Sequence, residues 1–173
     1  MDLKKTIREI PDFPKKGILF YDITTLLKDA NALKFAADKI FEHYKNEGKT
    51  FDKVVSIESR GFIFGAILAY KFNEGFVPIR KQGKLPGKSL KEEYEKEYGK
   101  DIFELHEDSI EKGEKILLCD DVLATGGTAQ AAIRLIEKMQ GKINGIAPLI
   151  EIEPLNGRKK LTGYDVYSLI KYQ

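Results

Sequence analysis

A single cysteine, Cys119, has no partner for a disulfide within the chain, so cysteine usage gives no sign of an oxidising compartment. Histidine is nearly as scarce: His43 and His106 lie far apart, and with no Cys/His cluster in the sequence a structural zinc site is not expected. Charge of one sign is also lacking. With 29 basic and 27 acidic residues the net charge is +2, which supplies no general attraction for nucleic acid or an anionic membrane. Long hydrophobic runs are missing. The longest mostly apolar stretch, residues 61–70, falls well short of the ~20 residues that span a bilayer. The opening MDLKKTIREIPDF mixes charged with apolar residues and has no signal-peptide core. These absences predict a soluble, cytoplasmic protein with neither nucleic acid nor membrane as partner.

What is present fits one domain over 1–173, long enough to bury about 70% of the unfolded surface. No repeat or low-complexity segment interrupts it. An opening helix is expected over about 2–9, stopped by Pro11 and Pro14. Asp29 is placed to cap a helix on which Leu33, Ala36, Ala37, Ile40, Phe41 and Tyr44 recur at helical spacing, with Gly48 ending it. Strand-like runs follow at 54–57, 76–79, 115–119, 146–152 and 166–170, with helices expected at 62–72 and 127–140. Strands alternating with helices predict an α/β fold: a mostly parallel central sheet flanked by helices. In such sheets the ligand lies beyond the carboxyl ends of the strands. The long connection 81–114, rich in lysine and glutamate, is either a lid or a solvated charged helix.

The run Leu117-Leu118-Cys119-Asp120-Asp121-Val122-Leu123-Ala124-Thr125-Gly126-Gly127-Thr128-Ala129 carries the chemistry. It is an apolar strand, two carboxylates, then small residues at the entrance to a helix. Small residues let backbone N–H groups approach a phosphate, and the helix N-terminus favours the anion. Thr125 and Thr128 add hydroxyl donors. Two aspartates beside a phosphate seat are unsuited to the phosphate itself but suited to the hydroxyls of a ribose. A ligand bearing both a phosphate and a cis-diol, a ribose 5-phosphate, satisfies both halves of the run. The glycine patterns of dinucleotide-binding and ATP-binding loops are absent.

This run resembles the 5-phosphoribosyl-1-pyrophosphate (PRPP) signature of type I phosphoribosyltransferases. The similarity extends through Ile10-Pro11-Asp12-Phe13-Pro14, Glu58-Ser59-Arg60-Gly61-Phe62, Arg80-Lys81-Gln82-Gly83-Lys84-Leu85-Pro86 and Glu97-Tyr98-Gly99, which resemble the adenine-using branch of that family. The resemblance implies the family's fold, with a small N-terminal hood over about 1–30 and a mobile lid loop over about 81–110. It implies transfer of the phosphoribosyl group of PRPP to N9 of adenine, giving AMP and pyrophosphate in purine salvage, and a homodimer. Mg²⁺ is the implied cofactor, held by PRPP and pyrophosphate rather than directly by the chain, with Asp120 and Asp121 nearby.

By the same resemblance, PRPP would be bound by Ala124, Thr125, Gly126, Gly127, Thr128, Asp120, Asp121, Ser59, Arg60, Arg80, Lys81 and Lys84. A non-proline cis peptide would fall between Glu58 and Ser59. Leu19, Phe20, Tyr21, Val122 and Leu123 would hold adenine, although Leu19 and Phe20 also suit a core. Asp120, Asp121 and Glu97 are the catalytic candidates, Glu97 as acid/base in a run that also contains Glu93 and Glu95. Tyr21 stands where relatives often carry arginine, and Ile102 departs from the family's pattern after Glu-Tyr-Gly. Cys119 reads as inert core.

Overall fold

The computed structural model describes residues 1–95 and 99–173. The chain opens with a single 3-10 turn, Leu3–Thr6, rather than the helix expected over 2–9. Leu3 and Ile7 are buried, which gives the segment its helical look, but from Arg8 onward the backbone is claimed by a strand partner. β1 (Arg8–Pro11) pairs antiparallel with β2 (Leu19–Asp22) to make a small hood ribbon. A one-turn helix, α1 (Thr24–Leu27), leads to α2 (Ala30–Asn46), where the Asp29 carboxylate accepts hydrogen bonds from the N–H groups of Asn31 and Ala32. That satisfies two of the donors a helix start leaves open.

The main layer is a seven-stranded sheet. Its parallel part comprises β3 (Lys53–Ile57), β4 (Gly75–Lys81), β7 (Lys115–Leu123), β8 (Lys142–Ile152) and β9 (Ile170–Tyr172). Beyond β4 an antiparallel hairpin, β5 (Ser89–Glu95) and β6 (Lys100–His106), extends the sheet in the order β5-β6-β4-β3-β7-β8-β9. Helix α3 (Gly61–Phe72) follows β3, and α4 (Gly127–Lys138) follows β7. Successive strand residues feed opposite faces. Val54, Leu117 and Cys119 pack with α2, α3 and the hood, whereas Val55, Ile57, Ile116 and Leu118 pack with α4. Burial on both faces explains why these strands read as unbroken apolar runs.

Three further expectations are corrected. The 81–114 connection contains no solvated helix among its described residues; it is largely the β5–β6 hairpin. The last strand lies at Ile170–Tyr172 rather than 166–170, where Val166 makes only an isolated bridge to Ile146. And β7 does not stop at Cys119. Its ladder with β8 continues through Asp120↔Pro148 and Leu123↔Glu151, so both aspartates stand on a strand and not in a loop.

Chain order reverses at the centre of the sheet. From β3 the chain steps outward to β4, then returns to place β7 on the other side of β3. Such a reversal opens a crevice at the carboxyl ends of the two strands. Residues Glu58–Arg60 leave β3 there, and Ala124–Gly126 leave β7 beside them.

Candidate active site

The loop after β3 is anchored at its base. Ser56, fully buried, donates its hydroxyl to the carbonyl of Gly61 at 3.2 Å, and the peptide between Glu58 and Ser59 is cis. Ser59 is exposed at the rim. Arg60 reaches across the crevice, its Nε 2.5 Å from Oδ2 of Asp121 and its guanidinium carbon 4.8 Å from the centre of the Phe20 ring. One arginine thus joins the hood to the β7 carboxylates.

The two aspartates are unlike. Oδ1 of Asp120 accepts the backbone N–H of Asp121 at 2.8 Å. Burial, reinforced by the neighbouring Asp121 charge, pushes the Asp120 carboxyl well above the usual carboxylate range. Asp121 carries the ion pair to Arg60. The same oxygen is buried, so its charge is met by the Arg60 guanidinium and not by solvent.

Beyond β7 the chain turns through Ala124, Thr125 and Gly126 into α4. Gly126 occupies the N-cap position with φ 79°, a left-handed conformation, and no side chain caps the helix. The first-turn N–H groups are therefore available to an anion, with the helix dipole behind them. A pocket of about 60 Å³ lies here, lined by Asp120, Val122, Leu123 and Thr125 to Gly126 together with Thr128.

The cations expected at the lid base converge on an anion that sequence reasoning missed. The Glu58 side chain, 6% exposed, accepts from Arg80 Nε at 3.0 Å, from the Lys81 backbone N–H at 2.8 Å and from Lys84 Nζ at 2.5 Å. Burial pushes its pKa upward, but the bonds from Lys84, Lys81 and Arg80 outweigh it and hold the group at about 2. Lys81 Nζ turns instead toward Asp101, 3.8 Å away. The signal for Glu58 was available: a carboxylate at the end of a central strand, beside a basic stretch.

In the hood, Phe20 faces Arg60 and meets Phe13 edge-to-face at 5.0 Å. Leu19 is 41% exposed. Tyr21, on the opposite face of β2, stacks on Tyr172 with centroids 3.9 Å apart, so its ring is committed to the core. Val122 packs toward that core and Leu123 is buried against the α4 side. Glu97 lies outside the described residues. The one His/Asp/Glu cluster among the described residues that has metal-ligand spacing is His43, Glu47 and Asp165. Asp165 already holds Lys49, and none of the three belongs to the crevice.

An uncapped helix start, carboxylates on the strand before it and a cationic loop opposite suit a sugar bearing phosphate groups. The phosphoribosyl transferase domain family matches residues 23–170, and the chain belongs to it. Within that family its relatives are adenine phosphoribosyltransferases. That of Thermotoga neapolitana is 54% identical over 99% of this chain and 100% of its own length. The crystal structure of the Thermoanaerobacter pseudethanolicus enzyme superposes with a TM-score of 0.95 at 50% identity, covering 99% of this chain and 98% of that one. The Saccharomyces cerevisiae enzyme, solved with adenine and D-2,5-dideoxy-2,5-imino-altritol 1,6-bisphosphate, gives 0.92 at 38% identity, covering 97% and 96%. No helix among the described residues is long and apolar enough to cross a membrane.

Proposed function

We propose that the chain transfers the 5-phosphoribosyl group of PRPP to N9 of adenine, releasing AMP and pyrophosphate as a purine-salvage pentosyltransferase. The observation that carries this is the junction of β7 with α4: an uncapped helix start just after a strand that ends with two carboxylates, one of them paired with Arg60 across the crevice.

Ala124 to Thr128 would seat the 5-phosphate through main-chain N–H groups and the two threonine hydroxyls. Asp121 would accept from a ribose hydroxyl, and Asp120, next to it, would hold the second. Ser59 and Arg60 would take the pyrophosphate from the β3 side, and Arg80, Lys81 and Lys84 from the lid side. The donor set suits a magnesium complex of PRPP, since the pyrophosphate and ribose oxygens supply its ligands and the two aspartates stand close by. When bound, Mg²⁺ contributes positive charge to the leaving group.

The bond from C1′ to the pyrophosphate oxygen breaks as adenine N9 forms its bond to C1′. Negative charge gathers on pyrophosphate and positive charge on the sugar. Arg60 and the lid lysines stabilise the first, and the Asp121 carboxylate favours the second. Glu97 is assigned as the acid/base partner of the purine, from its place in the Glu97-Tyr98-Gly99 motif. Adenine would lie against the hood, between Leu19 and Phe20 on one side and Val122 on the other, with Tyr21 and Leu123 contributing main chain only, since the Leu123 side chain is buried on the α4 side. Closure of the lid would keep water from the reacting sugar. We infer a cytoplasmic homodimer of single-domain subunits.

Incubation with PRPP and Mg²⁺, offering adenine, hypoxanthine, guanine, xanthine and orotate separately, tests this reading. AMP and pyrophosphate from adenine alone are expected. Turnover of another base in place of adenine would overturn the hood assignment. PRPP binding with no turnover would favour a sensor of PRPP over an enzyme.

A further inference from the structure

Against the loop that follows β7 stands a 3-10 turn over Gly157–Leu161. Gly157 touches the loop backbone to backbone. A Cβ at Gly157 would sit 2.1 Å from the Ala124 carbonyl oxygen and 2.8 Å from the Gly126 nitrogen. A Cβ at Gly126 would sit 2.5 Å from the Gly157 carbonyl oxygen. Two glycines, one on each segment, are what let the turn lie flat against the loop.

The turn is itself fixed by one arginine. Arg158 donates from Nε to Oε1 of Glu151 at 2.8 Å and from an outer nitrogen to Oε2 at 2.5 Å, a two-pronged pair. Its remaining donors reach the Val166 carbonyl at 2.8 Å and the Ser168 hydroxyl at 3.1 Å. Glu151 is 4% exposed and sits on β8, paired with Leu123 at the end of β7. The same carboxylate that grips Arg158 is therefore in register with the residue that precedes the phosphate loop. A paired carboxylate and guanidinium hold a planar geometry that an ammonium cannot reproduce.

We propose that Glu151, Arg158 and Gly157 form a positioning brace that sets the shape of the Ala124–Thr128 loop, and through it the affinity for the 5-phosphate of the sugar. The inference rests on the phosphoribosyl reading of that loop. None of the three residues touches substrate; they act through the loop backbone. A brace of this kind predicts an asymmetric kinetic defect. Loosening it spoils recognition of the phosphate and leaves the hood, on the other side of the crevice, unchanged.

The test compares wild type with R158K, which keeps the charge and loses the two-pronged pair, and with G157A, which forces a methyl group into the loop. D165N, which removes the Lys49 ion pair outside the crevice, serves as the stability control. Ribose 5-phosphate binding by calorimetry and KM for each substrate are measured alongside Tm. Both brace variants are expected to weaken ribose 5-phosphate and raise KM for PRPP roughly 10- to 100-fold, with KM for adenine within about twofold, because an ångström-scale misplacement costs up to that much. E151Q, which keeps the shape and one acceptor oxygen, should fall between wild type and R158K. If R158K folds and binds ribose 5-phosphate like wild type, or if the two KM values rise together as Tm falls, the brace is wrong and the contact is only structural. Should G157A fail to fold, R158K and E151Q decide the matter alone. Absence of ribose 5-phosphate binding by wild type would instead sink the phosphoribosyl reading, and the brace with it.

Discussion

Asp120 and Asp121 follow one another on β7, yet their environments divide the work. Asp120 is pushed toward its neutral form by burial and by its neighbour, while the charge of Asp121 is met by Arg60 across the crevice. On the proposed reading Asp121 accepts from a ribose hydroxyl, so its charge should matter more to turnover than to folding. D121N is expected to lower kcat by about 100-fold or more, the scale on which a single transition-state contact acts, with Tm nearly unchanged. A kcat within a few-fold of wild type would remove Asp121 from the mechanism. Glu58 offers a second test at this scale. Its folded pKa of about 2 lies below the ordinary 4.5, so its contribution to stability is present above the ordinary value and lost as pH falls through the folded one. E58Q should therefore cost about 3 kcal/mol at pH 7, and the gap from wild type should close between about pH 5 and pH 2 in denaturant titrations. A gap that persists at pH 2 would mean that shape, not charge, is what Glu58 supplies. The aspartates were legible in the sequence because they sit in one contiguous run with the loop they serve. Glu58 offered a signal in its place at a strand end, but Glu151 and Arg158 offered none, since their partners are brought to them only by the folded sheet.

Among the elements, the parallel strands and their helices could be read from apolar runs because both faces are buried. The β5–β6 hairpin could not. Lys91 to Glu95 looks like a charged helix with i,i+4 pairs, but in the structure it alternates: Leu90, Glu92 and Tyr94 face inward while Lys91, Glu93 and Glu95 are exposed. Glu92 breaks the apolar pattern of the inward face. It is tolerated there because Arg134 and Lys138, one turn apart on α4, both close on its carboxylate. That pair of contacts adds to the packing of Tyr94 and Leu90 in docking the hairpin on the helix. Both cations are about half exposed, so each bond is worth less than a buried one. E92A should lower protection of the Ser89–Glu95 amides in hydrogen exchange about fivefold, equivalent to ~1 kcal/mol, while the amides of β3 and β7 keep theirs. Equal loss across the whole sheet would show that the contact supports global stability rather than the hairpin. Element packing at the sheet centre is less forgiving. A Cβ at Gly65 of α3 would sit 1.9 Å from the Ser56 hydroxyl oxygen, itself fully buried on β3. G65A should cost about 2–3 kcal/mol by forcing the helix off the strand, read as a lower midpoint in urea.

For the whole molecule, the crevice is assembled from segments joined through the β3 loop, where Glu58 holds the lid base and Arg60 reaches Asp121 and Phe20. The β3 loop, the lid base, the β7 carboxylates and the hood come from four stretches of sequence, and Arg60 is the residue that spans from hood to β7. A ligand that touches all of them binds the folded state alone and should stabilise it by mass action. At a concentration of 100 times its Kd, PRPP with Mg²⁺ should add about 2.7 kcal/mol. For a chain of this size each kcal/mol is worth about 2–4 °C, so Tm should rise by roughly 5–10 °C. Ribose 5-phosphate, which would reach only the loop and the carboxylates, tests the division of labour. At the same multiple of its own Kd it should raise Tm equally, because linkage depends on saturation, but it should leave exchange at the lid base, Arg80–Lys84, unprotected. PRPP should protect those amides further, if its pyrophosphate binds the Arg80 and Lys84 side chains as proposed. Protection of the lid base by ribose 5-phosphate alone would mean that the phosphate loop and the lid move as one body, and the cations around Glu58 would then have to be assigned to stability rather than to the leaving group.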